Sequence, residues 1–395
     1  MKIGFIDYSR EERNKILATL KLLGEQTALD ELGIGVVRDA YADILFPGIS
    51  TLQTRAKYFV LLPYLFQSAG KRAGEGKLRN GHELLQWVNN EEDRIAGSLT
   101  KNCPNGEIGI IGSDAFRSKR SVKMKPSTIY WTGLRTFGIF LNDKASLSAA
   151  CKMICAEAKR KSSVELLTDG ESFDDATAAD QGETLFCPIH PDYDYVKDVT
   201  IDLTRAEAEF LRERILHSPF SSDSLLAFLI REKMVIGDFV SVPENKLPDA
   251  LRRDYQLAKD FSRFIYGAHI RYNVIYSDYT DQSMADAFDA WREQFFAEPF
   301  ALEPVLERVS CPTALAGFCR AFLKTAEEND TAAMDDLIVR REIQVKGMRS
   351  KLRKPKEYCY DPEHPVHAYR LDYRFNRASV IIQDILKGLE TGEHV

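Results

Sequence analysis

The stretch "FPGISTLQTRAKYFVLLPYLF", residues 46–66, decides the fold. Its second half, from Tyr58 to Phe66, is one apolar run, and Arg55 and Lys57 lie just upstream. A run this short, interrupted by Pro63, falls far below the roughly 18–20 apolar residues that a membrane-spanning helix needs. We therefore predict a core helix, capped by Ser50 or Thr51, whose apolar residues share one stripe: Leu52, Ala56, Phe59, Leu62 and Phe66.

The composition is that of a soluble globular protein. The chain has 395 residues, 44% of them hydrophobic and 28% charged, which leaves room for two or three domains. A net charge of −6 does not indicate a polybasic protein. The residues after Met1, "KIGFIDYS", are too short and too interrupted for the apolar region of a signal peptide. We expect a cytoplasmic protein, off the membrane, whose seven scattered cysteines stay reduced.

Apolar residues recur at helical spacing along most of the chain, so the fold class is predicted to be mainly α. Residues 9–24 have a capping box at Ser9 and Glu12, residues 35–45 precede Pro47-Gly48, and Thr204 caps another helix. Strand evidence is limited to "IGIIG" (108–112) and "KIGFID" (2–7), which allows at most a small β element.

The charge pattern divides the chain into two helical halves. No Lys or Arg occurs from Ser162 to Val196, whereas Asp and Glu are frequent there. Such composition is typical of a solvated loop or linker. We predict an N-terminal helical domain over 1–161, an acidic linker over 162–196 and a C-terminal helical domain over 197–395. The acidic linker could also fold back on the basic loop at 117–125.

No catalytic or nucleotide-binding signature is present. "GIGVVRD" (33–39) lacks the third glycine and the Lys-Ser/Thr that phosphate-binding loops require. The segment "CYDPEHPVH" (359–367) has candidate zinc ligands, but its prolines favour a surface loop with incidental histidines: Cys359, Asp361, His364 and His367. We expect no cofactor and no metal, and the absence of such signatures favours a non-catalytic protein over an enzyme.

Basic residues cluster strongly in a chain whose net charge is negative. Cations beside aromatic residues suit phosphate contacts and base stacking, so we predict DNA or RNA as the partner. The alternative is a solvated face or an anchor for the acidic linker. The candidate nucleic-acid-binding residues are Arg117, Lys119, Arg120, Lys123, Lys125, Arg340, Arg341, Lys346, Arg349, Lys351, Arg353, Lys354, Arg374 and Arg377.

Three sequence blocks carry a resemblance to a known family: "DELG" (30–33), "YADILFPGIS" (41–50) and "TRAKYFVLLP" (54–63). They resemble an uncharacterised bacterial family catalogued as a domain of unknown function, number six-three-six-one. A weaker likeness at "LDYRFNRA" (371–378) indicates that the resemblance spans the chain. The resemblance implies no activity. It implies a genomic context, because the family is associated with bacterial islands that hold anti-phage genes.

These observations lead to three hypotheses about function. The first is a non-catalytic nucleic-acid-binding component of a bacterial defence system. The second is a cryptic nuclease or phosphodiesterase, and the third is a scaffold that binds partner subunits of such a system. For Arg55 we predict a structural role, in which its guanidinium pairs with Asp39 or Asp43 on the preceding helix.

Overall fold

The computed structural model describes residues 30–103, 109–118, 120, 122, 124–168, 185–354 and 357–391. Within these ranges the chain forms two compact units, each assembled from separate stretches of sequence. The smaller unit contains residues 30–41 and 253–371, and the larger unit contains 42–252 and 372–391. The acidic segment predicted at 162–196 falls within the larger unit, and its residues 169–184 lie outside the described ranges.

The fold class is mainly α, as predicted, and the described residues contain no β-strand. An isolated antiparallel bridge joins Phe140 to Phe186. In chain order the α-helices are α1 (Gly35–Leu45), α2 (Tyr58–Gly74), α3 (Gly81–Asn102), α4 (Ser113–Arg117), α5 (Pro126–Thr136), α6 (Leu147–Thr168), α7 (Arg205–His217), α8 (Leu225–Arg231), α9 (Asp249–Tyr276), α10 (Gln282–Phe296), α11 (Leu302–Arg308), α12 (Thr313–Glu328), α13 (Thr331–Lys346) and α14 (Phe375–Glu390). Short 3-10 turns cover Phe239–Ser241, Glu244–Lys246 and Gly347–Arg349.

Several helix boundaries follow from local sequence signals. Helix α1 has the predicted bounds, and α7 begins after the predicted cap. At that cap the Glu207 backbone N–H donates to Thr204 Oγ1 over 3.3 Å, while the Thr204 N–H donates to Glu207 Oε2 over 2.8 Å. This is the reciprocal capping box. The "IGIIG" strand is not formed, because Gly109–Gly112 lie in turns, whereas helix 9–24 and "KIGFID" lie outside the described residues.

The helix within residues 46–66 begins later than predicted. Neither Ser50 nor Thr51 caps it, and α2 starts at Tyr58. The backbone N–H groups of Thr54 and Arg55 both donate to the Tyr130 hydroxyl, over 2.8 and 3.0 Å. The Tyr130 hydroxyl, on α5, therefore satisfies both N–H groups, and residues 54 and 55 do not need to be helical for their backbone to be hydrogen-bonded.

The apolar run at the start of α2 is the core of the larger unit, as predicted. Every residue from Tyr58 to Phe66 is buried, and the helix packs against α3, α5 and α6. The Phe59 ring meets Tyr130 edge-on with a centroid distance of 4.8 Å and lies 5.1 Å from Phe137. Full burial of each such side chain contributes roughly 1.5–3 kcal/mol. Across the described part of the chain, no helix combines the length and apolarity needed to cross a membrane.

The smaller unit is built around an aromatic cluster on α9. The Phe264 ring lies 5.4 Å from Phe300 and 5.7 Å from Phe322, measured between ring centroids. Trp291 packs 6.0 Å from Phe322, and its indole N–H donates to the Arg263 carbonyl over 2.8 Å. The indole has its polar atom satisfied while its rings stay buried.

The close approach of α9 to Trp291 requires a glycine. A Cβ atom on Gly267 would lie 2.2 Å from the indole ring, so Gly267→Ala forces the helix or the tryptophan to move. Overpacking of this kind costs about 1–3 kcal/mol. We expect the variant to show a lower Tm in thermal unfolding monitored by circular dichroism.

Gly317→Ala is the matched control for this substitution. Gly317 also lies inside a helix of the smaller unit, and a Cβ there would meet nothing within 4 Å. Alanine has the better helix propensity by about 1 kcal/mol, so this variant should melt at the same temperature or higher. Equal destabilisation by both substitutions would contradict the packing argument.

Candidate functional site

The basic block at 339–356 divides into buried and exposed cations. Arg340, Arg341 and Lys346 lie on α13. Arg341 is buried: its Nε donates to the Leu32 carbonyl over 2.8 Å, and its guanidinium lies over the Phe318 ring. The Lys346 side chain is 8% exposed. Arg341 and Lys346 therefore belong to the internal framework of the smaller unit.

Other cations of this block face solvent. Arg340 is exposed and pairs with Asp336 one turn back on α13. Arg353 is exposed, and its guanidinium approaches the Met348 sulfur at 3.8 Å. Lys354 is half-buried and binds Glu357 over 2.9 Å, while Arg349 is also partly accessible.

A buried carboxylate holds the turn that carries these exposed cations. Glu342 is fully buried on α13 and accepts the Ser350 hydroxyl at 2.5 Å. It also accepts the backbone N–H groups of Lys351 (2.8 Å) and Leu352 (3.1 Å), and the Tyr272 hydroxyl at 3.1 Å. Four donors satisfy this carboxylate in the protein interior, so the backbone of the turn is fixed to the helix.

The two other predicted basic groups belong to the larger unit. Arg117 and Arg120 are exposed, whereas Lys125 binds Asp93 over 2.5 Å and the Asn89 carbonyl over 3.1 Å. Lys119 and Lys123 lie outside the described residues. The nucleic-acid role of these positions stays a prediction.

The C-terminal pair near α14 makes contacts to the segment that precedes α2. Arg374 binds Asp43 over 2.7 Å and the Ile49 carbonyl over 2.9 Å, in a left-handed backbone conformation with φ of 71°. The exposed Arg377 donates to the Thr51 carbonyl over 3.1 Å. Arg374 therefore has a structural contact of its own, whereas Arg377 is exposed.

Arg55 has the structural role predicted for it, with a different partner. Its Nε donates to both Asp384 oxygens over 3.0 and 2.9 Å, and its Nη2 lies 3.2 Å from Asp202. Asp384 also accepts the Ala56 N–H over 2.8 Å. The predicted Asp43 binds Arg374 instead. Burial raises the pKa of Asp384, although Arg55 opposes that shift.

A second buried pair follows directly in the sequence. The Lys57 ammonium lies 2.5 Å from Glu207 Oε2 and donates to the Asp202 carbonyl over 3.0 Å. Glu207 Oε1 accepts the hydroxyls of Tyr193 (2.7 Å) and Tyr64 (3.3 Å). Burial lowers the pKa of Lys57, and the charge of Glu207 opposes it. Each polar atom of this cluster has a partner, which is the arrangement of a structural network.

Removal of Arg55 should therefore destabilise the larger unit. Arg55→Ala leaves the 7% exposed Asp384 without its cation, at a cost of about 3–5 kcal/mol. Lys77→Ala is the control, because its pair with Glu75 is more than half exposed and contributes little to stability. We expect a large drop in Tm for the first variant and almost none for the second. An Arg55→Ala protein as stable as the wild type would contradict this assignment.

In the smaller unit every residue of the "DELG" block has an identifiable contact. Asp30 accepts the N–H groups of Ile34 and Gly35 at the start of α1, over 2.8 and 2.9 Å. The Leu32 carbonyl accepts Arg341. Gly33 has φ of 64°, and a Cβ there would lie 2.9 Å from the Val345 side chain. Both the conformation and the space require glycine.

Glu31, the remaining residue of the block, collects three basic side chains. Its carboxylate lies 3.0 Å from His367 Nε2, 3.1 Å from the Lys351 ammonium and 3.6 Å from Lys346. Burial acts to raise the pKa of Glu31. The hydrogen bond from His367 and the two lysine charges outweigh it and lower the pKa to about 2. The group is therefore ionised at neutral pH.

Two histidines face each other beside this carboxylate. The His269 and His367 rings lie 5.5 Å apart between centroids. His269 is buried on α9, and neither of its ring nitrogens has a hydrogen-bond partner among the described residues. Burial and the neighbouring His367 lower the pKa of His269 to about 4. An unsatisfied polar ring in a core costs stability, and such costs are concentrated at functional sites.

His269 makes the protein sensitive to mild acid. Its folded pKa of about 4 lies below the ordinary 6.5, so the unfolded state binds more protons between these values, and stability should fall as the pH drops through that window. The charged groups acting on it are His367, Asp30, Glu31 and Arg38. We expect the Tm of His269→Phe to fall less than the Tm of the wild type when the pH is lowered from 7 to 5.

The interval between pH 7 and pH 5 distinguishes the effect of His269 from that of Glu31. The contribution of Glu31 to stability is lost only as the pH falls from 4.5 towards 2. His364→Ala is the control, because the His364 side chain is 80% exposed. It should leave the acid sensitivity unchanged. Identical pH profiles for His269→Phe and the wild type would refute the assignment.

The predicted zinc candidates at 359–367 do not converge. The exposed His364 binds Asp361 over 2.9 Å, whereas His367 is directed to Glu31. Cys359 is exposed, and its carbonyl accepts the Tyr276 hydroxyl over 3.0 Å. Within the described ranges no three His, Cys, Asp or Glu side chains lie close enough to hold a metal ion.

The cluster of Glu31, His269 and His367 was not predicted from the sequence. The "DELG" block and the 359–367 loop were each noticed, but nothing local indicates that residues 336 positions apart meet. One signal was present, since Glu31 is an acid inside a block with an apolar residue and two glycines nearby. It marks a buried carboxylate without identifying the partner.

Comparison with known proteins identifies a family but no activity. The model of a family of unknown function (DUF6361) matches residues 1–290. No curated protein and no solved structure matches the chain. Function must therefore be argued from the arrangement of the side chains.

Proposed function

We propose that this chain, which belongs to DUF6361, a family of unknown function, is a nucleic-acid-binding protein. The observation that carries the proposal is the basic turn after α13, residues 347–354, fixed to the helix by the buried Glu342. This turn displays three cations within six residues, namely Arg349, Arg353 and Lys354, while its fourth cation, Lys351, binds Glu31.

A fixed basic turn suits a phosphate backbone for an entropic reason. Ordering a flexible loop on binding costs free energy, and a turn already held in place avoids most of that cost. Ser350 contributes twice, since its hydroxyl binds Glu342 and accepts the Arg353 N–H over 3.0 Å. The side chain of Arg353 is thus exposed to solvent while its backbone N–H is hydrogen-bonded within the turn.

The buried cations of α13 have a structural role. Arg341 binds the Leu32 carbonyl and Lys346 pairs with Glu31, so neither is suited to direct phosphate contact. Their role is to hold α13 in place beneath the basic turn. In the larger unit Arg117, Arg120 and Arg377 are accessible and remain candidate contacts.

The test removes three cations of the turn together. Arg349→Ala, Arg353→Ala and Lys354→Ala leave Glu342 and its donors in place. Binding of labelled DNA and RNA is measured by fluorescence anisotropy from 50 to 200 mM salt. We expect weaker binding and a shallower salt dependence, by about one unit of log–log slope for each phosphate that the variant no longer neutralises.

The control removes the same charge from exposed sites of the larger unit. Lys197, Lys233 and Lys246 are exposed, and their joint replacement by alanine should change the affinity far less. An equal loss in both triple variants would show that net charge, not the turn, governs binding. Absence of any salt-dependent binding by the wild type would overturn the proposal.

We further propose a cytoplasmic role in bacterial defence, for example against phage. Its support is the resemblance of the sequence blocks to a family associated with anti-phage genes. Plating efficiency of phages on cells with and without the protein, and with the triple variant of the basic turn, tests this role directly.

A further inference from the structure

Three side chains of the smaller unit form a continuous series of hydrogen bonds. The Tyr369 hydroxyl lies 3.2 Å from His367 Nδ1, and His367 Nε2 lies 3.0 Å from Glu31 Oε2. A hydroxyl, an imidazole and a carboxylate in this order are the parts of an activated nucleophile, its base and the group that orients the base.

The partners fix the direction of proton transfer. The ionised Glu31 can only accept a hydrogen bond, so His367 carries a proton on Nε2. In the neutral imidazole, Nδ1 is then a free acceptor that points to the Tyr369 hydroxyl. This tautomer is the one that can take the phenolic proton.

The geometry of the turn keeps the series intact and open to solvent. His367 has φ of 51°, an uncommon conformation for a residue with a side chain, and its carbonyl accepts the Tyr369 N–H over 2.7 Å. Tyr369 is 57% exposed, whereas Glu31 is 6% exposed. The hydroxyl end faces water, and the carboxylate end is anchored in the protein.

Positive charge surrounds the series. Lys351 and Lys346 flank Glu31, and the charge of Arg38 acts on Tyr369. Arg38 is partly exposed. Cations at such a site can bind the oxygens of an incoming phosphate.

We propose that Tyr369 is a nucleophile for phosphodiesters, activated by His367 as general base and with Glu31 as the positioning residue. The proposal rests on the nucleic-acid binding proposed above, which supplies the substrate class. Tyr369 and His367 are the catalytic residues, because they would touch the reacting atoms.

The step is balanced without a metal ion or a redox partner. The Tyr369 oxygen forms a bond to phosphorus, and its proton moves to His367 Nδ1. The bond from phosphorus to one ester oxygen breaks, and that oxygen takes the proton from His367. The products are a phosphotyrosine ester and a free hydroxyl end; attack of either water or that hydroxyl on phosphorus releases Tyr369 with its proton.

His269 explains why the proton would stay on His367. It lies directly behind His367, in the core, where an imidazolium is disfavoured. A proton taken from Tyr369 is therefore disfavoured on His269 and stays on His367, from where it can pass to the leaving oxygen.

The experiment looks for the covalent ester. End-labelled single- and double-stranded DNA and RNA oligonucleotides are incubated with the full chain and separated on denaturing protein gels. We expect a labelled protein band from the wild type and none from Tyr369→Phe, which keeps the ring. Tyr279→Phe is the matched control, because Tyr279 is 58% exposed, much as Tyr369 is, but donates its hydroxyl to the Asp335 carboxylate rather than to an imidazole.

The role of Glu31 has its own measurement. Hydrolysis of thymidine 5′-p-nitrophenyl phosphate is followed for the wild type, Glu31→Gln and Glu31→Asp. We expect kcat to fall about 100-fold or more in Glu31→Gln with KM unchanged, and to recover in part in Glu31→Asp. A purely structural role would not give this split between kcat and KM.

The outcomes separate this inference from the proposed function. Salt-dependent nucleic-acid binding without a covalent band or hydrolysis overturns the nucleophile and leaves the binding protein. A covalent band that persists in Tyr369→Phe also overturns it. Hydrolysis of the small phosphodiester without nucleic-acid binding keeps the site and overturns the proposed substrate class.

Discussion

A charge that folding removes from water must meet its partner inside the protein, and the remaining structure of each unit depends on this constraint. In the larger unit Arg55 meets Asp384, and Lys57 meets Glu207. In the smaller unit Glu31 meets Lys346, Lys351 and His367. Breaking such a pair costs far more than its formation contributes, so each pair selects one arrangement of helices over alternatives that would strand a charge.

These pairs account for the two most distinctive sequence blocks. In "TRAK", Thr54 binds the Gly109 carbonyl, and Arg55 and Lys57 bind carboxylates from other helices. In "DELG", capping, ion pairing and a glycine turn follow one another within four residues. Both blocks are dense in tertiary contacts, although neither forms a helix.

The sequence predicted the helices well and their polar contacts poorly. Apolar periodicity and caps are local, so α1 and the capping box of α7 were found correctly. Helix α13 has no continuous apolar stripe, because its core-facing positions include Arg341 and Glu342 beside the apolar Met334 and Ile338. The charged residues at these positions are buried only because residues from other segments neutralise them. The identity of those partners cannot be read from the local sequence, and for the same reason the Glu31 cluster could not be predicted.

The division of the smaller unit between two stretches of chain has a consequence for its synthesis. Glu31 leaves the ribosome early, while Lys346, Lys351 and His367 follow more than 300 residues later. At roughly 5–20 residues per second the carboxylate waits on the order of tens of seconds before its cations exist. The Glu31 carboxylate therefore cannot form its native ion pairs until residue 367 has been synthesised. Until then its charge must stay hydrated, and the native arrangement of this part of the smaller unit has to wait for the last third of that unit's chain.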